Sequence, residues 1–288
     1  MIKEWLQQYA PQNQEEASAA LREIMQEVAL AGLQRTGFFE KAAFYGGTAL
    51  RIFYGLDRYS EDLDFSLLQK DPDFSLEPFF DGIITEFNAV GMTVSIKEKK
   101  KSALSNIESA FLKPETVWKE LVLEHIVKQT GVGVAPNIKI KIEVDREPPN
   151  GFETEEKLLL RPFSFYVKCF GLPDLFAGKM HALLFRNWKN RVKGRDWYDL
   201  EWYIKKGVPL SLTHFLIRAK DSGHWTGETI TEEEVLQLLN DRIGSVSFDS
   251  IKEDVVRFIP NDSMLNIWDK QYFTDLACKL KFDKTAIA

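Results

Sequence analysis

Phe44–Ser66, FYGGTALRIFYGLDRYSEDLDFS, is the stretch on which the fold of this chain turns. Gly46 and Gly47 make a turn that leads into a helix expected over Thr48–Tyr54. The polar turn Asp57–Glu61 then leads into a short strand expected at Leu63–Leu67. Asp62 follows Gly47 by fifteen residues, and Asp64 stands two further on. On a strand, residues i and i+2 leave the same face, so both carboxylates emerge side by side. Carboxylates that close repel one another unless a cation lies between them. Mg²⁺ commonly takes one or two protein carboxylates together with substrate phosphates. The glycines, lacking Cβ, let backbone N–H groups approach phosphate oxygens. The segment therefore reads as metal-assisted chemistry on a phosphorylated substrate.

Upstream, 13–36 reads as a long helix, with Leu21, Ile24, Met25, Val28, Leu30 and Leu33 at three- to four-residue spacing. Downstream, Phe79–Val90 reads as a helix ended by Gly91, and Thr93–Lys97 alternates like a strand. The clearest strand is Ile138–Asp145. Ile138, Ile140, Ile142 and Val144 face one way, and Lys139, Lys141, Glu143 and Asp145 the other. A further strand is expected over Ser164–Cys169. Helices follow from Pro173 to Phe185, over Asp196–Ile204, Thr231–Leu239, Phe248–Phe258 and Leu265–Leu280. This gives an α+β chain: residues 1–165 an α/β domain with a mixed or antiparallel sheet, and 166–288 a mainly helical domain.

Lys179 and Arg186 lie seven residues apart, two helical turns, and share a face. A point charge and a planar fork on one face suit a triphosphate. Between Arg186 and Arg195, RNWKNRVKGR, five of ten residues are basic, with Trp188 interleaved, and Lys97, Lys99, Lys100 and Lys101 form a second run. Such runs can follow a phosphate backbone while an aromatic stacks on bases.

The order of these motifs resembles the signature of the polymerase-β-like nucleotidyltransferase superfamily: an apolar residue, Gly-Gly, then Asp-x-Asp. More narrowly, Phe44–Leu50 with Arg58–Phe65, then Ala177–Arg186, then Arg195–Leu200 resembles the AbiEii toxin family, the nucleotidyltransferase half of type IV toxin–antitoxin and abortive-infection systems. The resemblance implies a polymerase-β-like core, a mixed sheet with flanking helices, followed by a C-terminal helical region. It implies a third carboxylate on a later strand, which is Glu143, or Asp145 as the alternate. Asp62, Asp64 and Glu143 become the metal ligands for one or two Mg²⁺ ions. Lys179 becomes a nucleotide-binding residue and Asp196 a functional acid. Gly46, Gly47, Thr48, Arg58, Ser60 and Arg186 complete the expected nucleotide-binding set, although Ser60 fits holding the turn equally well. Asp199 fits either a capping or an ion-pair role. The implied substrate is an NTP, the implied acceptor the 3′ end of tRNA, and the implied partner a cognate antitoxin, with direct contact left open. The same residues also fit a transferase acting on a protein or small molecule, or a non-catalytic protein that binds a nucleotide or a partner.

Composition narrows the field. Across 288 residues, 37 basic against 43 acidic side chains give a net charge of −6, which excludes a uniformly basic nucleic-acid coat. Two cysteines, Cys169 and Cys278, cannot form a disulfide framework and fit a reducing cytoplasm. The apolar runs fall short of the ~18 residues of a membrane span, and the N-terminal MIKEWLQQYAPQNQEE does not read as a signal peptide. His125, His181, His214 and His224 lack metal-ligand spacing and read as structural.

Overall fold

The computed structural model describes residues 1–97, 116–126, 138–186, 192–259 and 261–283, with backbone alone at 116–118 and 124–126. Close contacts divide the chain into two units. Met1–Tyr54, Tyr59–Pro148 and Glu155–Cys169 make the first, and Gly55–Arg58, Pro149–Thr154 and Phe170–Ala288 the second.

The first unit opens with α1 (Ile2–Gln8) and α2 (Gln14–Arg35). Asn13 starts α2: its side chain accepts the Glu16 N–H at 2.8 Å, which satisfies one of the unpaired donors of the first turn. Leu21, Ile24, Met25, Val28, Leu30 and Leu33 are fully buried, as their spacing implies. There follow β1 (Ala42–Tyr45), α3 (Gly46–Tyr54), β2 (Leu63–Leu67), α4 (Phe80–Ala89), β3 (Met92–Lys97), β4 (Thr116–Ile126), β5 (Lys139–Asp145), β6 (Thr154–Leu159) and β7 (Phe165–Phe170). These seven strands form one sheet in the order β3-β4-β5-β2-β1-β7-β6. The β1–β2, β3–β4 and β4–β5 pairs are antiparallel, while β2–β5 and β1–β7 are parallel, so the sheet is mixed.

β1 sits inside the sheet, and its AAFY is an unbroken apolar run rather than an alternating one, which hides it from period-two reading. β4 breaks the alternation with Lys119, which is buried with its ammonium 5.9 Å from the Phe80 ring centroid. α2 and α4 cross with their backbones nearly touching: a Cβ at Gly32 would lie 2.7 Å from the Ile83 backbone nitrogen. Phe38 anchors the aromatic part of the core, edge-on to Phe65 at 4.9 Å and to Phe79 at 5.1 Å. Burial of each such ring contributes ~2 kcal/mol, and edge-to-face packing adds ~1.

The second unit contains α5 (Leu172–Phe185), α6 (Gly194–Lys206), β8 (Pro209–Ser211), α7 (Leu212–Asp221), α8 (Glu232–Ser245), α9 (Phe248–Val255), α10 (Lys270–Ala277) and β9 (Lys281–Asp283). Among its described residues it is mainly helical, with the parallel β8–β9 pair beside the helices. The single helix expected over Leu265–Leu280 is divided. Asp269 caps a new helix by accepting the Tyr272 N–H at 2.7 Å, and the buried Trp268 just before it donates its indole N–H to Glu201 at 2.9 Å. Among the described residues no helix is long and apolar enough to cross a membrane.

Candidate active site

β2 runs between β1 and β5 in the first unit. Its Leu63 and Phe65 are wholly buried, whereas Asp64 between them is partly exposed. The register sets Asp64 opposite Tyr45 on one side and opposite Glu143 on the other. Residues opposite one another on paired strands share a face about 4.8 Å apart, so Asp64 and Glu143 are lateral neighbours. Ile142 and Val144, which flank Glu143, are buried. Asp62 immediately precedes the strand. Thr48, buried in the first turn of α3, donates its hydroxyl to the Asp62 carbonyl and ties the helix start to the acidic segment.

Gly46 opens α3 in the left-handed region, at φ +85°. A Cβ there would lie 3.0 Å from Asp64 Cγ and nearer still to Oδ2. Only glycine meets both demands, positive φ and the adjacent carboxylate. The turn therefore brings Asp64 against the first residues of α3, where the helix dipole favours negative charge.

Asp145 lies opposite Ser66, one pleat further along β5, and accepts the Glu147 N–H at 3.1 Å. Its carboxylate thus helps close the strand end. Glu143 is ion-paired with Lys141 on the same face. Among the described residues, no three His, Cys, Asp or Glu side chains are gathered as a metal cage. The donor set still fits Mg²⁺, which accepts one or two carboxylates and takes its remaining oxygens from phosphate and water.

The second unit carries a separate polar cluster. Arg58 is 2% exposed, and its guanidinium grips Asp199 in a bidentate pair, with Nε and Nη2 at 2.6 and 2.7 Å from the two carboxylate oxygens. Lys179 Nζ lies 2.8 Å from Asp199 Oδ2. Burial alone would raise the Asp199 pKa, but Arg58 and Lys179 outweigh it and hold the carboxyl well below the usual range. Asp57 accepts the Tyr198 hydroxyl at 2.5 Å.

One turn earlier on α6, the buried Asp196 lies 3.8 Å from Arg186 Nη1. Burial again favours its neutral form, yet Lys193, Arg186 and Lys179 keep it ionised. Lys193 is pushed down to about 8: burial is the first cause, Asp196 opposes it, and repulsion from Arg186, Lys179 and Arg195 adds to it. His214 is buried and pushed down to about 3 by burial, with Nδ1 donating to the Gly151 carbonyl at 2.9 Å. His181 and His224 each bond Ser222 Oγ at 2.8 Å.

A family model described as "Nucleotidyl transferase AbiEii toxin, Type IV TA system" matches residues 28–275. The chain belongs to the AbiEii family. It is a nucleotidyltransferase toxin; its substrate is a nucleotide, and its counterpart in such a system is an antitoxin. Among solved structures, the first of the two that follow shares its fold. MenT4, a nucleotidyltransferase toxin from Mycobacterium tuberculosis H37Rv, is 16% identical with a TM-score of 0.50, over 97% of this chain and 99% of that one. JHP933 from Helicobacter pylori is 19% identical with a TM-score of 0.49, over 91% of this chain and 88% of that one. No curated protein matches the sequence.

The AbiEii match spans every motif residue from Gly46 to Asp199. Within the first unit the fold brings Gly46, Thr48, Asp62, Asp64 and Glu143 together. Within the second it brings together Arg58, Lys179, Arg186, Asp196 and Asp199. Arg58, expected to touch nucleotide, is instead buried and committed to Asp199. Asp199 proves to be an ion-pair residue rather than a cap. The Ser60 backbone carbonyl accepts the Gln26 side-chain N–H at 3.2 Å, a main-chain contact that ties the turn to α2. Arg242, whose Nε donates to the Leu183 carbonyl at 3.1 Å, lies in a stretch of sequence that carries no motif. Lys99, Lys100, Lys101, Trp188, Lys189 and Arg191, and the His125 side chain, lie outside the described residues.

Proposed function

We propose that this AbiEii protein moves a nucleotide from an NTP to the 3′ end of tRNA with the help of Mg²⁺. The observation that carries the reading is the register of Asp64 against Glu143, with Asp62 two residues earlier and the Gly46 turn packed against Asp64. Asp62 and Asp64 would hold the ion, and Glu143 would complete the carboxylate set. When bound, Mg²⁺ neutralises triphosphate charge and eases ionisation of the attacking hydroxyl. Backbone N–H groups at the start of α3 bind phosphate oxygens.

The reaction joins the acceptor 3′ oxygen to the α-phosphorus. It breaks the bond from that phosphorus to the bridging oxygen, and pyrophosphate leaves in line. Glu143 accepts the hydroxyl proton. In the second unit, Asp199, itself clasped by Arg58, fixes the ammonium of Lys179, the residue that likeness to the AbiEii family assigns to the nucleotide. Asp196 stays ionised and orients Arg186 toward phosphate. The tRNA assignment draws on the basic run Arg186–Arg195 with Trp188, and on the AbiEii family.

The test is label transfer. Each α-labelled NTP is incubated with Mg²⁺ and total tRNA, or with total cell protein in its place, and Asp64→Asn is run beside the wild type. Label on tRNA that disappears in the variant is the expected result. Label on protein would replace the acceptor, and absence of label with intact NTP binding would leave only a binding role.

A further inference from the structure

α2 buries two polar side chains in an otherwise apolar row, Gln26 and Glu27. Glu27 is matched by Arg161, whose Nη2 lies 3.2 Å from its Oε1. Gln26 is 1% exposed, and its Nε2 donates to the Ser60 backbone carbonyl at 3.2 Å, 34 residues along the chain. A buried amide costs free energy unless it is hydrogen-bonded. Methionine or leucine would fill the same space on α2 without that cost, so what the amide adds is its hold on Ser60.

Ser60 stands two residues before Asp62, and the two carboxylates of Asp62-Leu63-Asp64 are placed by different means. Asp64 lies inside the ladder, opposite Tyr45 on β1 and Glu143 on β5. Asp62 precedes Leu63, where β2 and its register begin. Its main chain is fixed instead by a tether at each side. The Thr48 hydroxyl on α3 donates to the Asp62 carbonyl, and the Gln26 amide on α2 holds the Ser60 carbonyl. Between the tethered residues lies Glu61, with its carboxylate 4.0 Å from Arg22 Nη1 on α2. Just before them, the Tyr59 ring lies 4.8 Å from the Arg51 guanidinium, and Arg51 Nε donates to Glu23 on α2 at 2.8 Å. α2 thus supports the turn over its whole approach to Asp62.

We propose that Gln26 is a positioning residue for the Asp62 carboxylate. Through the Ser60 carbonyl it fixes Asp62 relative to Asp64, and so sets how well the pair receives a divalent cation. A pair held at fixed spacing binds a cation without first having to be ordered, and partners behind the ligands tune affinity for that reason. The inference deepens the nucleotidyl-transfer reading and rests on it for the ion.

The probe is Mn²⁺ alone, without nucleotide, its free fraction read by electron paramagnetic resonance. Label transfer across a Mg²⁺ series is the second readout. Wild type is compared with Gln26→Met, which keeps the volume and removes the donor, and with Asp62→Asn. Val28→Ala is the control: it opens a cavity at a buried position two residues further along the same helix, on another side of it. Gln26→Met should bind Mn²⁺ about tenfold more weakly and need about tenfold more Mg²⁺ for half-maximal transfer, with kcat at saturating Mg²⁺ within about threefold of wild type. Val28→Ala should melt at a lower temperature and keep Mn²⁺ affinity within about twofold. Wild-type Mn²⁺ affinity in Gln26→Met, or an equal loss in Val28→Ala, would overturn the assignment. Should Gln26→Met fail to fold, Gln26→Asn, one methylene too short for the bond, gives the same comparison. Asp62→Asn tells the two levels apart. If it weakens Mn²⁺ binding and Gln26→Met does not, the positioning role fails alone; if it leaves Mn²⁺ binding unchanged, the metal reading fails and the positioning role with it.

Discussion

Gly46 and Asp64 are packed so closely that the missing Cβ of one makes room for the carboxylate of the other. The contact joins the glycine turn to the acidic strand, and it accounts for both motifs with a single piece of geometry. Gly46→Ala should therefore do more harm to activity than to folding. Positive φ costs about 1 kcal/mol for alanine, while displacement of Asp64 should lower kcat by about a hundredfold or more. Comparison of a thermal melt with label transfer checks this; a variant that transfers label at the wild-type rate would separate the turn from the chemistry.

The strand register also separates two carboxylates that sequence left as alternates. Glu143 faces Asp64, whereas Asp145 faces Ser66 and accepts a backbone N–H. Glu143→Gln should reduce transfer by about a hundredfold or more, and Asp145→Asn by less than about tenfold. The reverse order of effects in single-turnover assays would move the third carboxylate to Asp145.

The Arg58–Asp199 pair is wholly buried, so removal of one partner strands the other. Asp199→Asn should cost ~3–5 kcal/mol in urea unfolding. Because the loss also frees Lys179, transfer should fall in whatever fraction stays folded. A variant as stable as wild type would show that the pair is not needed to hold α6.

The same pair sets an acid limit. The Asp199 pKa is depressed in the folded state, so its contribution is complete above the unfolded value of about 4 and is lost as pH falls from there. Wild-type stability should drop on acidification through that window, and the Asp199→Asn curve should be flatter over it. Parallel melting curves from pH 6 to pH 3 would contradict this account.

Much of the fold was legible because burial follows period. Ile138 to Val144 alternate as read, and α2 buries the residues its spacing marks. β1 was not legible, since four apolar residues inside a sheet carry no alternation, and the break before α10 depends on Asp269 and Trp268 finding partners distant in sequence. In the candidate site, Asp62 and Asp64 were visible as a motif and Glu143 by its place on a strand face. The partners of Arg58 could not be read, because Asp199 lies 141 residues away and only the fold joins them. Arg242 lay beyond reach for the same reason.

The most direct measurement maps where the label goes. Wild-type protein, Mg²⁺ and the preferred α-labelled NTP are incubated with intact tRNA and with tRNA whose terminal ribose diol has been oxidised by periodate, and the products are digested from the 3′ end. Label is expected on the terminal nucleotide of intact tRNA, with none on oxidised tRNA and none with Asp64→Asn. Label on oxidised tRNA, label at an internal position, or undiminished label with Asp64→Asn would contradict it.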